Sequence, residues 1–249
     1  MTSSINTMLW EAQVSAAAGG RAVGLLHLAE GEEGRVVLTE TRVMRLLAEV
    51  ETLARDESLA LVLVTGGAKA FCLGADLPAL RTGKPADTER YLRAGQKLID
   101  ALFMLPVPTV AAVGGLALGG GFEVALACDL RWAHRRAVFA LPEAQEGLIP
   151  AWGAAFALAR ELPGARAWEL LLGSRIGALT AQQMGLVGRV FNGPNFSDQA
   201  WAAAQELALL GGKITRALKS IWRCAHKEAA RDRERAACMA LLKENKLCP

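Results

Sequence analysis

Short apolar runs alternate along this chain with longer stretches in which apolar residues fall every third or fourth position, the pattern of strands alternating with helices. The first run, Val23 to Leu28, predicts a strand followed by a charged, glycine-punctuated turn through Glu30 to Arg35, whereas residues 1–20 show no clear period. From Thr39, which suits an N-cap, Val43, Leu46, Leu47, Val50 and Leu53 recur at helical spacing with charged residues between them. That segment predicts an amphipathic helix facing a core. Leu59 to Thr65 is apolar and β-branched and ends at Gly66-Gly67, which predicts a buried strand and a turn. A helix from Asp87 or Thr88 to Met104 stops against Pro106 and Pro108. Thr109 to Val113 predicts another buried strand, and Val124 to Cys128 the first turns of a helix.

Further along, Leu130 to Ala133 and Ala137 to Ala140 are short extended pieces, and Pro142-Glu143 opens a loop that turns at Gly147 and Pro150. Helices are expected at Gly153 to Glu161 and at Ala165 to Leu172, the second ended by Gly173. Thr180-Ala181-Gln182-Gln183 matches a capping box that would start a short helix closed by Gly185, before a strand at Leu186 to Phe191. After the turn Asn192-Gly193-Pro194-Asn195 only helical patterns remain, Asp198 to Leu210 and then Thr215 onward, with a Gly211-Gly212 hinge. A strand-and-helix body thus gives way near residue 195 to an all-helical tail.

Composition narrows the function classes. A chain of 249 residues, 52% of them apolar, can bury a large core. The formal charge of +3 is small and basic residues are interspersed with acidic ones, so no nucleic-acid-binding stripe exists. Five scattered cysteines, Cys72, Cys128, Cys224, Cys238 and Cys248, lack C-x-x-C spacing and are expected to be reduced thiols of a cytoplasmic protein. No signal-like N-terminus and no membrane-spanning apolar run is expected, so no membrane is implied.

Among candidate chemistries, metal binding is disfavoured because His27, His134 and His226 lie far apart and outside any H-E-x-x-H pattern, so each reads as a packing or surface histidine. Neither a phosphate loop nor G-x-G-x-x-G is present, and Cys72 and Cys128 have no recognisable base, so both read as buried thiols. What remains is two glycine turns, each after a strand, and two glutamates. The turns are Phe71-Cys72-Leu73-Gly74-Ala75-Asp76 and Gly114-Gly115-Leu116-Ala117-Leu118-Gly119-Gly120-Gly121-Phe122-Glu123. Glycines let backbone approach a ligand, and a helix N-terminus presents unpaired amide donors and the positive end of a dipole. Such a turn suits an oxyanion, with the carboxylate of Glu123 in the first helical turn. On glycine spacing alone it is equally a tight strand-to-helix turn with a solvated glutamate.

These segments, taken with Pro108-Thr109-Val110-Ala111-Ala112-Val113, Cys128-Asp129 and Phe139-Ala140-Leu141-Pro142-Glu143, resemble the crotonase (enoyl-CoA hydratase/isomerase) superfamily, in order and with family-like spacing from about residue 21 to residue 191. The resemblance implies an α/β fold, a spiral of strand-strand-helix repeats over residues 1–194, followed by a helical oligomerisation region at 195–249 that builds trimers or pairs of trimers. It implies that the backbone amides of Ala75 and Gly120 form an oxyanion hole for a thioester carbonyl, that Glu123 and Glu143 act together on one water, and that Leu73, Trp152 and Gly153 line the acyl pocket. Hydration or dehydration of an α,β-unsaturated acyl thioester is the expected reaction, without metal or redox cofactor, on a substrate carried by CoA or by the phosphopantetheine of an acyl carrier protein.

The chain also departs from that family. Pro78 stands where many CoA-handling members have lysine, Gly153-Ala154-Ala155-Phe156-Ala157 replaces the usual Gly-Thr-Gln-Arg-Leu-like helix start, and the chain ends at Pro249 soon after Leu241-Leu242. The altered segment looks more like crotonase-type tailoring enzymes of polyketide biosynthesis, which makes decarboxylation or double-bond isomerisation on a carrier protein the rival reading. A non-catalytic scaffold is a third, disfavoured because two glutamates aimed into an apolar pocket are costly unless used or hydrogen-bonded.

Overall fold

A computed structural model of the chain describes residues 13–14, 21–28, 36–67, 69–76 and 84–223. The expected turn at Glu30 to Arg35, Pro78, His226, Cys224, Cys238, Cys248 and Leu241-Leu242 lie outside the described residues. In chain order the strands are β1 (Gln13–Val14), β2 (Ala22–His27), β3 (Val37–Leu38), β4 (Leu59–Thr65), β5 (Ala70–Cys72), β6 (Gly74–Ala75), β7 (Thr109–Val113), β8 (Leu116–Leu118), β9 (Leu130–His134), β10 (Val138–Ala140), β11 (Arg175–Gly177) and β12 (Arg189–Phe191). The helices are α1 (Glu40–Arg55), α2 (Pro85–Met104), α3 (Gly120–Ala127), α4 (Ala154–Glu161), α5 (Gly164–Leu171), α6 (Ala178–Gln183), α7 (Phe196–Ala208) and α8 (Gly212–Trp222), with a 3-10 turn at Pro142–Glu146.

The strands form a six-stranded sheet ordered β1-β2-β4-β7-β9-β12, a four-stranded sheet ordered β11-β10-β8-β5, and the pair β3-β6. The contacts from β2 through β12 in the large sheet are all parallel. Each turn of the spiral lays one strand in the large sheet, a second in a smaller sheet, and then a helix, as in β4-β5-α2 and β7-β8-α3. A parallel sheet covered on both faces requires near-continuous apolar strands. Accordingly β4 is buried at six of its seven positions and β7 at all five.

Thr39 caps α1 as expected, its side chain accepting from the Arg42 amide. Thr180 does not cap a helix: it lies inside α6, whose N-cap is Gly177 without a side-chain bond. The stretch 114–123 is likewise not one turn, because β8 intervenes between Gly115 and the true N-cap of α3, Gly119 at φ 50°. Three residues of strand have no period to read, and they exist only through pairing with β5 and β10.

The change of character near residue 195 does not separate two cores. Ala200, Ala203, Ala204 and Ala208 of α7 pack on Val23, Leu61, Leu63, Val110 and Trp132 of the large sheet. Lys219 of α8, 3% exposed, reaches Asp129 at 2.6 Å and donates to the Val107 carbonyl at 2.8 Å, next to the start of β7. No helix among the described residues is long and apolar enough to cross a membrane.

Candidate active site

Two of the spiral's turns meet at the N-terminus of α3. Gly74, at φ 89°, adopts a conformation that side chains disfavour, and a Cβ there would lie 2.6 Å from the Leu118 carbonyl oxygen and 3.0 Å from the Gly120 nitrogen. The β6 turn carrying Ala75 is therefore pressed against the start of α3 by backbone alone. Gly121 is equally confined, since a Cβ would stand 2.6 Å from that of Cys72. Cys72 itself is a buried free thiol whose pKa burial pushes up to about 12, as burial does for Cys128.

Beside this junction lies a cavity of about 420 Å³ whose wall includes Leu73, Ala75, Gly120, Glu123, Glu143 and Trp152. Six of the seven residues expected at the site are thus brought to one place. Gly153 is the exception: it lines a second cavity of about 330 Å³ beneath α4. Its φ of 127° turns the chain into α4. The sequence pattern did not single out Tyr91 and Leu92 of α2 or Leu148 and Ile149 of the following loop, which complete the apolar wall. Tyr91 is held by donating its hydroxyl to the Leu38 carbonyl at 2.7 Å.

The two glutamates sit in different electrostatic settings. Glu123 is 4% exposed, not solvated, and its carboxylate is not held by the amides of its own helix. Its Oε1 accepts from the amides of Trp152 at 2.9 Å and Ala154 at 3.1 Å. Burial raises its pKa, while the amides of Ala154, Trp152 and Gly153 oppose that rise by favouring the ionised form. Glu143, on the 3-10 turn, has a buried Oε2 with no hydrogen-bond partner among the described residues. Its pKa is pushed up to about 7, by burial first and by the neighbouring Glu123 charge in addition. Gly119 makes room for this carboxyl, because a Cβ there would come within 2.6 Å of the Glu143 Oε1. The first glycine of the Gly119-Gly120-Gly121 run thus serves the second glutamate, which spacing alone does not reveal.

Other candidate chemistry is absent from this site. Among the described residues no group of histidine, cysteine, aspartate and glutamate is arranged to hold a metal. His27 pairs with Thr65 at the surface, and buried His134 packs against Phe196 and bonds the Gly193 carbonyl.

Two carboxyls in different electrostatic settings, a helix N-terminus and an apolar wall are groups that together can carry acid–base chemistry beside a bound carbonyl. The chain belongs to the enoyl-CoA hydratase/isomerase family, which it matches over residues 37–245. It is 38% identical over 170 residues to the carnitinyl-CoA dehydratases of Proteus mirabilis (strain HI4320) and Escherichia coli (strain K12), covering 68% of this chain. The aligned region spans 65% of the length of those curated relatives. Among solved structures, an enoyl-CoA hydratase from Bacillus anthracis superposes with a TM-score of 0.84 at 28% identity, covering 94% of this chain and 92% of that one. Pseudomonas aeruginosa DspI superposes with a TM-score of 0.82 at 30% identity, covering 97% and 98%.

Proposed function

We propose that this chain adds water to, or removes it from, an α,β-unsaturated or β-hydroxy acyl thioester through an enolate. The observation that carries the reading is the pairing of an amide-held Glu123 with a Glu143 whose Oε2 has no hydrogen-bond partner among the described residues, both on one apolar cavity beside the α3 N-terminus. The thioester oxygen is placed at the amides of Ala75 and Gly120, which stabilise the charge that develops there. Ionised Glu123 takes a proton from water as its oxygen bonds to Cβ. Protonated Glu143 delivers a proton to Cα as the enolate collapses, so one water is consumed and the pair exchanges protonation states. In the reverse direction Glu143 removes the Cα proton and Glu123 protonates the leaving hydroxyl. The family and the dehydratase and hydratase names of similar proteins support this chemistry.

The substrate is carried as a CoA or carrier-protein phosphopantetheine thioester, in the cytoplasm. The working form is a homotrimer, or a hexamer of two trimers. Exposed Leu209, Leu210, Leu218 and Trp222 on and beside the last two described helices support an oligomer, because such apolar surface is costly in water.

One observation favours a second reading. A Glu123 clasped by two loop amides also serves as a tie for the Trp152 loop, leaving Glu143 as the single proton carrier. One carrier is what double-bond isomerisation or decarboxylation of a carrier-bound intermediate needs. Chromatography coupled to mass spectrometry of a thioester panel on CoA and on carrier protein separates the two. Gain or loss of one water supports the first reading, and isomerisation without mass change, or loss of carbon dioxide, replaces it.

A further inference from the structure

We infer that Trp152 sets the acyl-chain length this enzyme accepts, because its indole is the partition between the substrate cavity and the second cavity. The proposal rests on the thioester reading above. Trp152 lines both the 420 Å³ and the 330 Å³ cavities, and it is the residue their walls share. The ring is 4% exposed and wedged between two glycines. A Cβ on Gly95 of α2 would overlap the indole at Cε2 and Nε1, and one on Gly120 would lie 2.9 Å from Cζ3. Tyr91 braces the ring edge-on, with centroids 5.5 Å apart. Glycine inside a helix is unfavourable relative to alanine, and Gly95 has its use in seating this ring. The main chain of Trp152 does a separate job, donating to Glu123, so the side chain can be changed while that bond is kept.

Behind the partition, Ile99, Phe103, Leu126, Phe156 and Ala157 offer an apolar wall. The buried polar groups of the second cavity are already engaged, since Arg131 bonds Glu161 and the Cys128 carbonyl and Asp129 holds Thr109 and Lys219, while Asp100 and Arg160 on its wall are exposed and keep their water. An apolar chain can therefore occupy the space without stranding a polar partner. With the indole in place the acyl chain must end in the first cavity. Without it, the two cavities join into one channel that takes long linear acyl groups.

The test is binding of saturated acyl-CoA esters of increasing chain length by calorimetry, which needs no turnover, to the wild type, Trp152→Ala and Trp152→Phe, each checked for folding by circular dichroism. Wild-type affinity should level off at short chains. Trp152→Ala should keep gaining, roughly fourfold per added methylene, the factor that burying one CH2 corresponds to. Trp152→Phe should extend the gain by fewer carbons, and Phe156→Asp added to Trp152→Ala should abolish it. A folded Trp152→Ala or Trp152→Phe whose length profile parallels the wild type overturns the proposal. Length-dependent binding without turnover of any enoyl thioester would instead overturn the hydration reading and leave the partition standing.

Discussion

The raised proton affinity of Glu143 makes pH the cleanest perturbation of it. Its carboxyl is pushed up to about 7 because one oxygen is buried without a partner and the Glu123 charge is close. The proposed hydration needs Glu143 protonated and Glu123 ionised, so on that reading kcat/KM should follow the singly protonated pair. Above the upper apparent pKa, expected within about one unit of 7, each pH unit removes about tenfold of that form, so the rate should fall by about 10²-fold between about pH 6 and about pH 9. An acid limb is expected where Glu123, whose pKa burial also raises, takes up its proton. Adding water releases no proton, and the ratio of kcat/KM in the two directions must equal a pH-independent equilibrium constant. Dehydration must therefore show the same limb, although there Glu143 acts as base. The assay is the loss or gain of enoyl absorbance at constant ionic strength, in both directions, on one substrate. A profile flat to about pH 9, or one that rises through the limb, would refute the assignment of the Cα proton to Glu143.

Other outcomes follow from the same geometry. Glu123→Gln and Glu143→Gln should each lower hydration by about 10²- to 10⁴-fold with the fold intact; full activity of Glu123→Gln beside a dead Glu143→Gln would move the protein to the single-proton reading. Stability should also depend on pH through Glu143: its folded pKa lies above the ordinary 4.5, so the folded state binds this proton more tightly and the resulting stability, full below about 4.5, is lost as pH rises through about 7. Glu143→Gln should therefore flatten the decline of Tm over that window, and an unchanged slope would show that the carboxyl is not desolvated. Gly121→Ala should destabilise by at least about 3 kcal/mol in urea unfolding, because its Cβ runs into backbone and Cβ of Cys72 and no flexible side chain can yield.

The long elements were legible in the chain because their periods are local. Leu59–Thr65 and Thr109–Val113 were read to the residue, since a buried parallel strand is an unbroken apolar run between breakers. Glu123, Glu143, Ala75 and Gly120 were legible as an ordered set of motifs and glycine turns, and all four line one cavity. Tertiary structure decided the rest. Strands of two or three residues such as β6 and β8 have no pattern of their own and are made by pairing with distant partners. Glu123 is bound by amides about thirty positions later, so its orientation belongs to the meeting of α3 with the Trp152 loop. The raised proton affinity of Glu143 is a sum over every neighbour that excludes water, which a residue's place in the sequence does not encode. Gly153 went to the second cavity for the same reason: a one-residue step along a loop changes which wall a residue faces, and only the packing of Trp152 against Gly95 determines where that wall stands.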